Sequence, residues 1–203
     1  MLGESQVGKT CILNAGKNNI FQEETLITAG IDSYTWEKTF DNKKYIFKIF
    51  DTGGTERYRG IASTTFQIAH GYFLVFDVNN RNSFNKIIEW IDLIKEKVEL
   101  EEKVLYLLGN KIDLEPKERQ IIKEEAEKFA KSKNAKYFET SARTKKGINE
   151  AFEEMFKDIY EKYKKNNNIN NKKKANYLYK MISKKEIKYS PFSNYILDKY
   201  NKY

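Results

Sequence analysis

Gly3-Glu4-Ser5-Gln6-Val7-Gly8-Lys9-Thr10 opens this 203-residue chain with the pattern GxxxxGK[ST]. Glycines at these places let the backbone bend so that successive N–H groups converge on phosphate oxygens. The helix that follows adds its N-terminal dipole to that cradle, and Cys11 counts with the loop among the nucleotide-binding residues. In such a loop the lysine reaches the β- and γ-phosphates and the hydroxyl of the residue after it ligates Mg²⁺, roles that fall here to Lys9 and Thr10. The plainer alternative is a glycine-rich turn ahead of an ordinary helix, but the fixed spacing makes a chance match rare.

The rest of the chain up to Tyr163 alternates strand and helix patterns. Tyr34–Phe40 and Tyr45–Phe50 are β-rich runs around Asp41-Asn42-Lys43, which predicts an antiparallel hairpin. Tyr72–Asp77 (YFLVFD) and Val104–Gly109 (VLYLLG) are short apolar runs of the kind buried on both faces of a parallel sheet, with Lys136–Thr140 a weaker third. Phe84, Ile87, Ile88, Ile91, Ile94 and Val98 recur at helical spacing behind a cap at Ser83, as do Ile148, Ala151, Phe152, Met155, Ile159 and Tyr163. Alternation with short connections predicts an α/β fold with a mainly parallel sheet and helices on both faces.

Composition narrows the classes. A charged fraction of 33% and the lack of any long apolar run exclude a membrane-embedded chain, and a single cysteine, Cys11, excludes an internal disulfide. With no basic-then-apolar leader visible, the expectation is a cytoplasmic protein. The net charge of +8 is uneven: residues 164–203 carry +9, whereas 1–163 sum to −1. The body is therefore a domain of 1–163 with no specific affinity for nucleic acid expected. The basic Lys/Asn-rich stretch 164–203 reads as a disordered tail. The lone histidine, His70, is given no catalytic role.

Asn110-Lys111-Ile112-Asp113 directly follows VLYLLG, at the carboxyl end of a strand, where open α/β sheets bind ligands. An aspartate there can accept hydrogen bonds from guanine N1–H and the 2-amino group, which adenine does not offer in that place. A polar loop is the alternative for this tetrapeptide by itself. Ser141-Ala142-Arg143 follows the third strand candidate on the same edge, with the Ala142 N–H suited to guanine O6.

In this order the motifs resemble those of a small GTPase of the Ras superfamily, nearest its Rab branch, over Met1 to about Lys164. TAGIDSYTWEK is similar to the first switch of Rab proteins, IFDTGGTERYRGI to the second, and ETSARTKKGINEAF to the guanine loop and last helix. The resemblance implies a Ras-type P-loop fold with a six-stranded, mainly parallel sheet, and GTP/GDP with Mg²⁺ as ligands. It implies that Thr28 joins Thr10 on Mg²⁺, that Asp51 holds the ion through water, and that the Gly54 N–H meets the γ-phosphate. Phe21 would lie on one face of the guanine and the Lys111 stem on the other; ordinary core packing is the alternative for Phe21. The implied role is a monomeric switch in vesicle-mediated protein transport. Segments 22–34 and 52–66 would be ordered by the γ-phosphate. Exchange factors, GTPase-activating proteins and effectors would act on it at the cytosolic face of endomembranes.

The sequence departs from that pattern in four places. Thr55 stands where the family has the glutamine that orients the attacking water, so slow intrinsic hydrolysis is expected. The positions of the aromatic triad that Rab proteins present to effectors read Ser33, Phe50 and Thr65. Only Met1 and Leu2 precede Gly3, so the first strand is largely missing; a start further upstream is expected in preference to a damaged domain. The terminal YNKY holds no cysteine for prenylation, leaving the basic tail as the contact with an anionic membrane. A pseudo-GTPase scaffold that does not hydrolyse GTP is the alternative function.

Overall fold

The computed structural model describes residues 1–18, 21, 30–52, 63–114 and 116–183. The chain divides into two units, Met1–Ile159 and Tyr160–Tyr203. Within the first, α1 (Lys9–Asn18) follows the phosphate-loop motif, and β1 (Ile31–Phe40) pairs antiparallel with β2 (Lys43–Thr52). Asp41 and Asn42 turn the hairpin with φ of 47° and 59°, the left-handed pair that a two-residue connection between twisted strands requires. Lys43 therefore starts β2 and does not belong to the turn.

The three apolar runs form a parallel sheet in the order β3 (Gly71–Asp77), β4 (Val104–Asn110), β5 (Lys136–Glu139). The two residues ahead of the phosphate loop lie between β2 and β3. The Leu2 N–H donates to the Phe73 carbonyl and the Leu2 carbonyl accepts from Val75 N–H, each at 2.8 Å. On the other side the Met1 amine donates to the Phe50 carbonyl at 2.6 Å, and Thr52 Oγ1 donates to the Met1 carbonyl at 2.7 Å. Burial holds that amine well below its usual range, at about 5. Met1 and Leu2 thus occupy the place of the first strand of the expected six-stranded sheet and join the hairpin to the parallel strands.

The side-chain period of two sorts the strands onto two cores. Leu2, Tyr72, Leu74, Phe76, Leu105 and Leu107 face one cluster, closed by α2 (Arg81–Asn85), α3 (Ile87–Lys95) and α4 (Lys123–Ser132). Met1, Phe73, Val75, Tyr106 and Leu108 face the other, closed by α1 and the first turns of α5 (Ile148–Ser183). Helices therefore cover both faces, as the alternation of elements predicts.

Three local expectations change. The apolar repeat that starts at Phe84 is shared between two helices, interrupted by a turn at Lys86, and Val98 lies beyond the second. Asn80, not Ser83, caps the first: its side-chain oxygen accepts the Ser83 N–H at 3.2 Å, while Ser83 Oγ donates to the Asn80 carbonyl. Helical backbone in α5 continues to Ser183, within the stretch that composition leaves without structure. A helix already nucleated on a folded core elongates without paying the cost of a first turn again. Residues 184–203 lie outside the described residues. No helix among those described is long and apolar enough to cross a membrane.

Candidate functional site

The phosphate loop runs from Leu2 into α1. Gly3, Gln6 and Gly8 have φ of 142°, 64° and 94°, a succession of positive values that turns neighbouring N–H groups to one side. Space also dictates the glycines. A Cβ on Gly3 would sit 2.1 Å from the Val75 carbonyl oxygen, and one on Gly8 would sit 2.4 Å from Asn110 Nδ2.

Lys9 folds back over its own loop, with Nζ donating to the Gly3 carbonyl at 2.9 Å and the Glu4 carbonyl at 2.7 Å. It is 6% exposed, and burial pulls its pKa down to about 8, partly opposed by the charges of Asp51 and Glu4. Thr10 Oγ1 donates to Asp51 Oδ2 at 2.6 Å. Asp51 Oδ1 is buried and has no hydrogen-bond partner. Burial pushes this carboxyl upward, against the bond from Thr10 and the nearby Met1 amine. A hydroxyl beside a buried carboxylate with one oxygen unsatisfied is a donor set that fits a hard, oxygen-seeking divalent cation. Thr10 and Asp51 would hold Mg²⁺ here.

The second motif packs directly against the first. Asn110 ends β4; its Nδ2 donates to the Val7 carbonyl at 2.8 Å, and its Oδ1 accepts from Thr140 Oγ1 at 3.2 Å. Asp113 Oδ1 accepts from Ser141 Oγ at 2.6 Å, and that oxygen in turn accepts the Thr144 N–H at 3.0 Å. NKID and SAR are therefore one unit joined to the phosphate loop. Ala142 is buried and Arg143 exposed. Phe21 is half-buried against the cluster formed with α1 and α5. Thr28, Gly54 and Thr55, with most of both switch segments, lie outside the described residues. Of the positions that correspond to the Rab aromatic triad, Ser33 and Phe50 are cross-strand partners, and Thr65 lies in the helical turn that precedes β3.

A family model described as Ras family matches residues 1–161. The chain is 35% identical over 160 residues to the Ras-related protein Rab-11C of Dictyostelium discoideum, covering 79% of this chain and 70% of that protein. It is 37% identical over 171 residues to the Ras-related protein Rab-8B of Homo sapiens, covering 84% and 82%. The chain is a Rab-like small GTPase of the Ras family.

Sequence reasoning missed two residues in this GTPase. Asp77 ends β3, and its Oδ2 pairs with Lys111 Nζ at 2.8 Å. Its Oδ1 accepts from both the backbone and side-chain N–H of Asn79, and Asn79 Nδ2 also donates to the Lys111 carbonyl at 3.2 Å. Together they hold Lys111 in a left-handed conformation, φ 67°. A signal was present in the acid closing the apolar run YFLVFD on the ligand edge of the sheet. In a single sequence it reads as an ordinary strand end.

Proposed function

We propose that this GTPase binds GTP and GDP with Mg²⁺ and acts as a molecular switch in vesicle-mediated protein transport. The observation that carries the reading is the Asn110–Val7 bond, which holds a phosphate-type amide cradle and a carboxylate suited to guanine in one rigid frame. Gly3 through Thr10 with Cys11 take the phosphates. Asp113, Ser141, Ala142 and Arg143 take the base edge, and Phe21 and Lys111 its faces.

Thr10, Thr28 and, through water, Asp51 would hold Mg²⁺, which would supply charge neutralisation at the β- and γ-phosphates. Lys9 then exchanges its two loop carbonyls for phosphate oxygens, which regain for the buried ammonium the charge partner that the carbonyls only imitate. The Gly54 N–H reports the γ-phosphate to the second switch. Thr55 is too short to orient water from the position of the family's glutamine, so intrinsic hydrolysis is slow. Exchange factors and GTPase-activating proteins set the bound nucleotide, and effectors read it. The basic tail supplies a salt-sensitive attraction to anionic membrane at the cytosolic face.

Chromatography of nucleotide extracted from the purified full chain tests this reading. Bound GDP is the expected result. GTP alone would support a scaffold that binds without hydrolysing. Guanine-nucleotide affinity untouched by Lys9→Ala or Asp113→Ala in folded protein would end the proposal.

A further inference from the structure

The phosphate loop has a second anchor besides Asn110. Trp90, fully buried on α3, donates its indole Nε1–H to Glu4 Oε1 at 3.1 Å. Its helix neighbours Ile87, Ile91 and Ile94 are all buried in the same core, so the indole is presented from a helix packed into that core. Glu4 is also one of the two residues whose carbonyl holds Lys9. One loop residue thus touches the core through its side chain and the key cation through its backbone.

We propose that Trp90, acting through the Glu4 carboxylate, is a positioning residue for the phosphate loop: it holds the Glu4 carbonyl in place and slows nucleotide release. The inference rests on the phosphate-binding reading above and names which core residue governs that loop. A hydrogen bond to a carboxylate is stronger than a neutral one and directional, so it resists rotation of the Glu4 peptide. When phosphate draws Lys9 away from the Glu4 carbonyl, the strain of that exchange falls on the same residue. The indole then senses the occupancy of the loop.

The test uses the full chain with Trp36→Phe, which leaves Trp90 as the sole indole, loaded with labelled GDP and chased with unlabelled GDP. Glu4→Ala and Trp90→Phe each should speed release by about ten- to a hundredfold, the range for one hydrogen bond to a charged group. The double variant should be no faster than the faster single, because both remove the same bond. Glu4→Gln, whose amide oxygen accepts the indole proton, should fall between native and Glu4→Ala. Trp90 emission should shift when Mg²⁺ is chelated and GDP removed, and Glu4→Ala should abolish the shift.

Unchanged release in Glu4→Ala, effects that multiply in the double variant, or an emission shift that survives Glu4→Ala would overturn the proposal. Should Trp90→Phe fail to fold, the Glu4 variants and the emission of Trp90 decide it alone. A native chain that retains no GDP overturns the phosphate reading, and this inference with it. Retained GDP with indifferent Glu4 variants overturns only this inference.

Discussion

Asn110 Nδ2 lies 2.8 Å from the carbonyl oxygen of Val7, across 103 residues of chain. The contact welds the loop suited to phosphate to the loop suited to the base, so neither can shift alone. It is buried, which makes its loss costly.

Asn110→Ala strands the Val7 carbonyl and the Thr140 hydroxyl together. The nucleotide-free protein should lose about 1–3 kcal/mol of stability, the desolvation cost of buried polar groups left unpaired. GDP release should quicken as well. Denaturant melts and release kinetics check both, and an unchanged melt would show that the two loops are held by other contacts.

Gly8→Ala meets two obstacles at once, a φ of 94° and a Cβ 2.4 Å from Asn110 Nδ2. GDP affinity should fall about tenfold or more, since left-handed strain alone costs roughly 1–3 kcal/mol. Equilibrium titration with GDP measures it. Native affinity in this variant would mean that the loop relaxes without loss.

Lys9 gives a pH signature. Its pKa is lowered from 10.5 to about 8 in the folded, nucleotide-free protein. Between those values the unfolded chain keeps a proton that the folded chain has released, so this group makes stability rise with pH across the window. Phosphate favours the ammonium, so GDP binding at about pH 8.5 should take up protons, and less so at about pH 7. Calorimetry without Mg²⁺, in buffers of different ionisation enthalpy, reads the uptake; none at either pH would refute the assignment of Lys9.

Thr55→Gln restores a side chain long enough to reach an attacking water. Single-turnover hydrolysis of GTP should accelerate by about tenfold or more, well within what positioning a reactant can contribute. Equal rates would remove Thr55 as the cause of slow turnover.

The basic tail should be drawn to anionic lipid by its charge. The full chain should sediment with phosphatidylserine vesicles at low salt and release at about 0.5 M salt, where screening shortens to a few ångströms. A chain lacking 164–203 should not sediment at either salt. Retention by that shortened chain would place the membrane contact in the body.

Much of the architecture could be read along the chain because its signals are local and redundant. YFLVFD and VLYLLG are apolar throughout, and such runs have few outlets other than a strand buried on both faces. The helix Lys123–Ser132 escaped because its buried face is built on Ala126 and Ala130, which leave no apolar stripe to count. Asn80 and Ser83 both suit the role of cap, and only the extended backbone at Asn80 separates them. Both halves of the candidate site were legible as motifs, whereas Asp77, Asn79 and Trp90 were not. Their importance lies in which distant atom each one meets.

By itself the sequence determined the class of the protein. GxxxxGK[ST], NKID and SAR each encode a backbone shape or a donor pattern within a few residues, and their order along the chain is enough to recognise the family. The tertiary structure alone decided how those pieces constrain one another. Met1 and Leu2 between β2 and β3, Asn110 on Val7, Asp77 on Lys111 and Trp90 on Glu4 are pairings between segments far apart in the chain. Local propensity carries no information about such partners, because they are selected by the packing of two cores on opposite faces of one sheet.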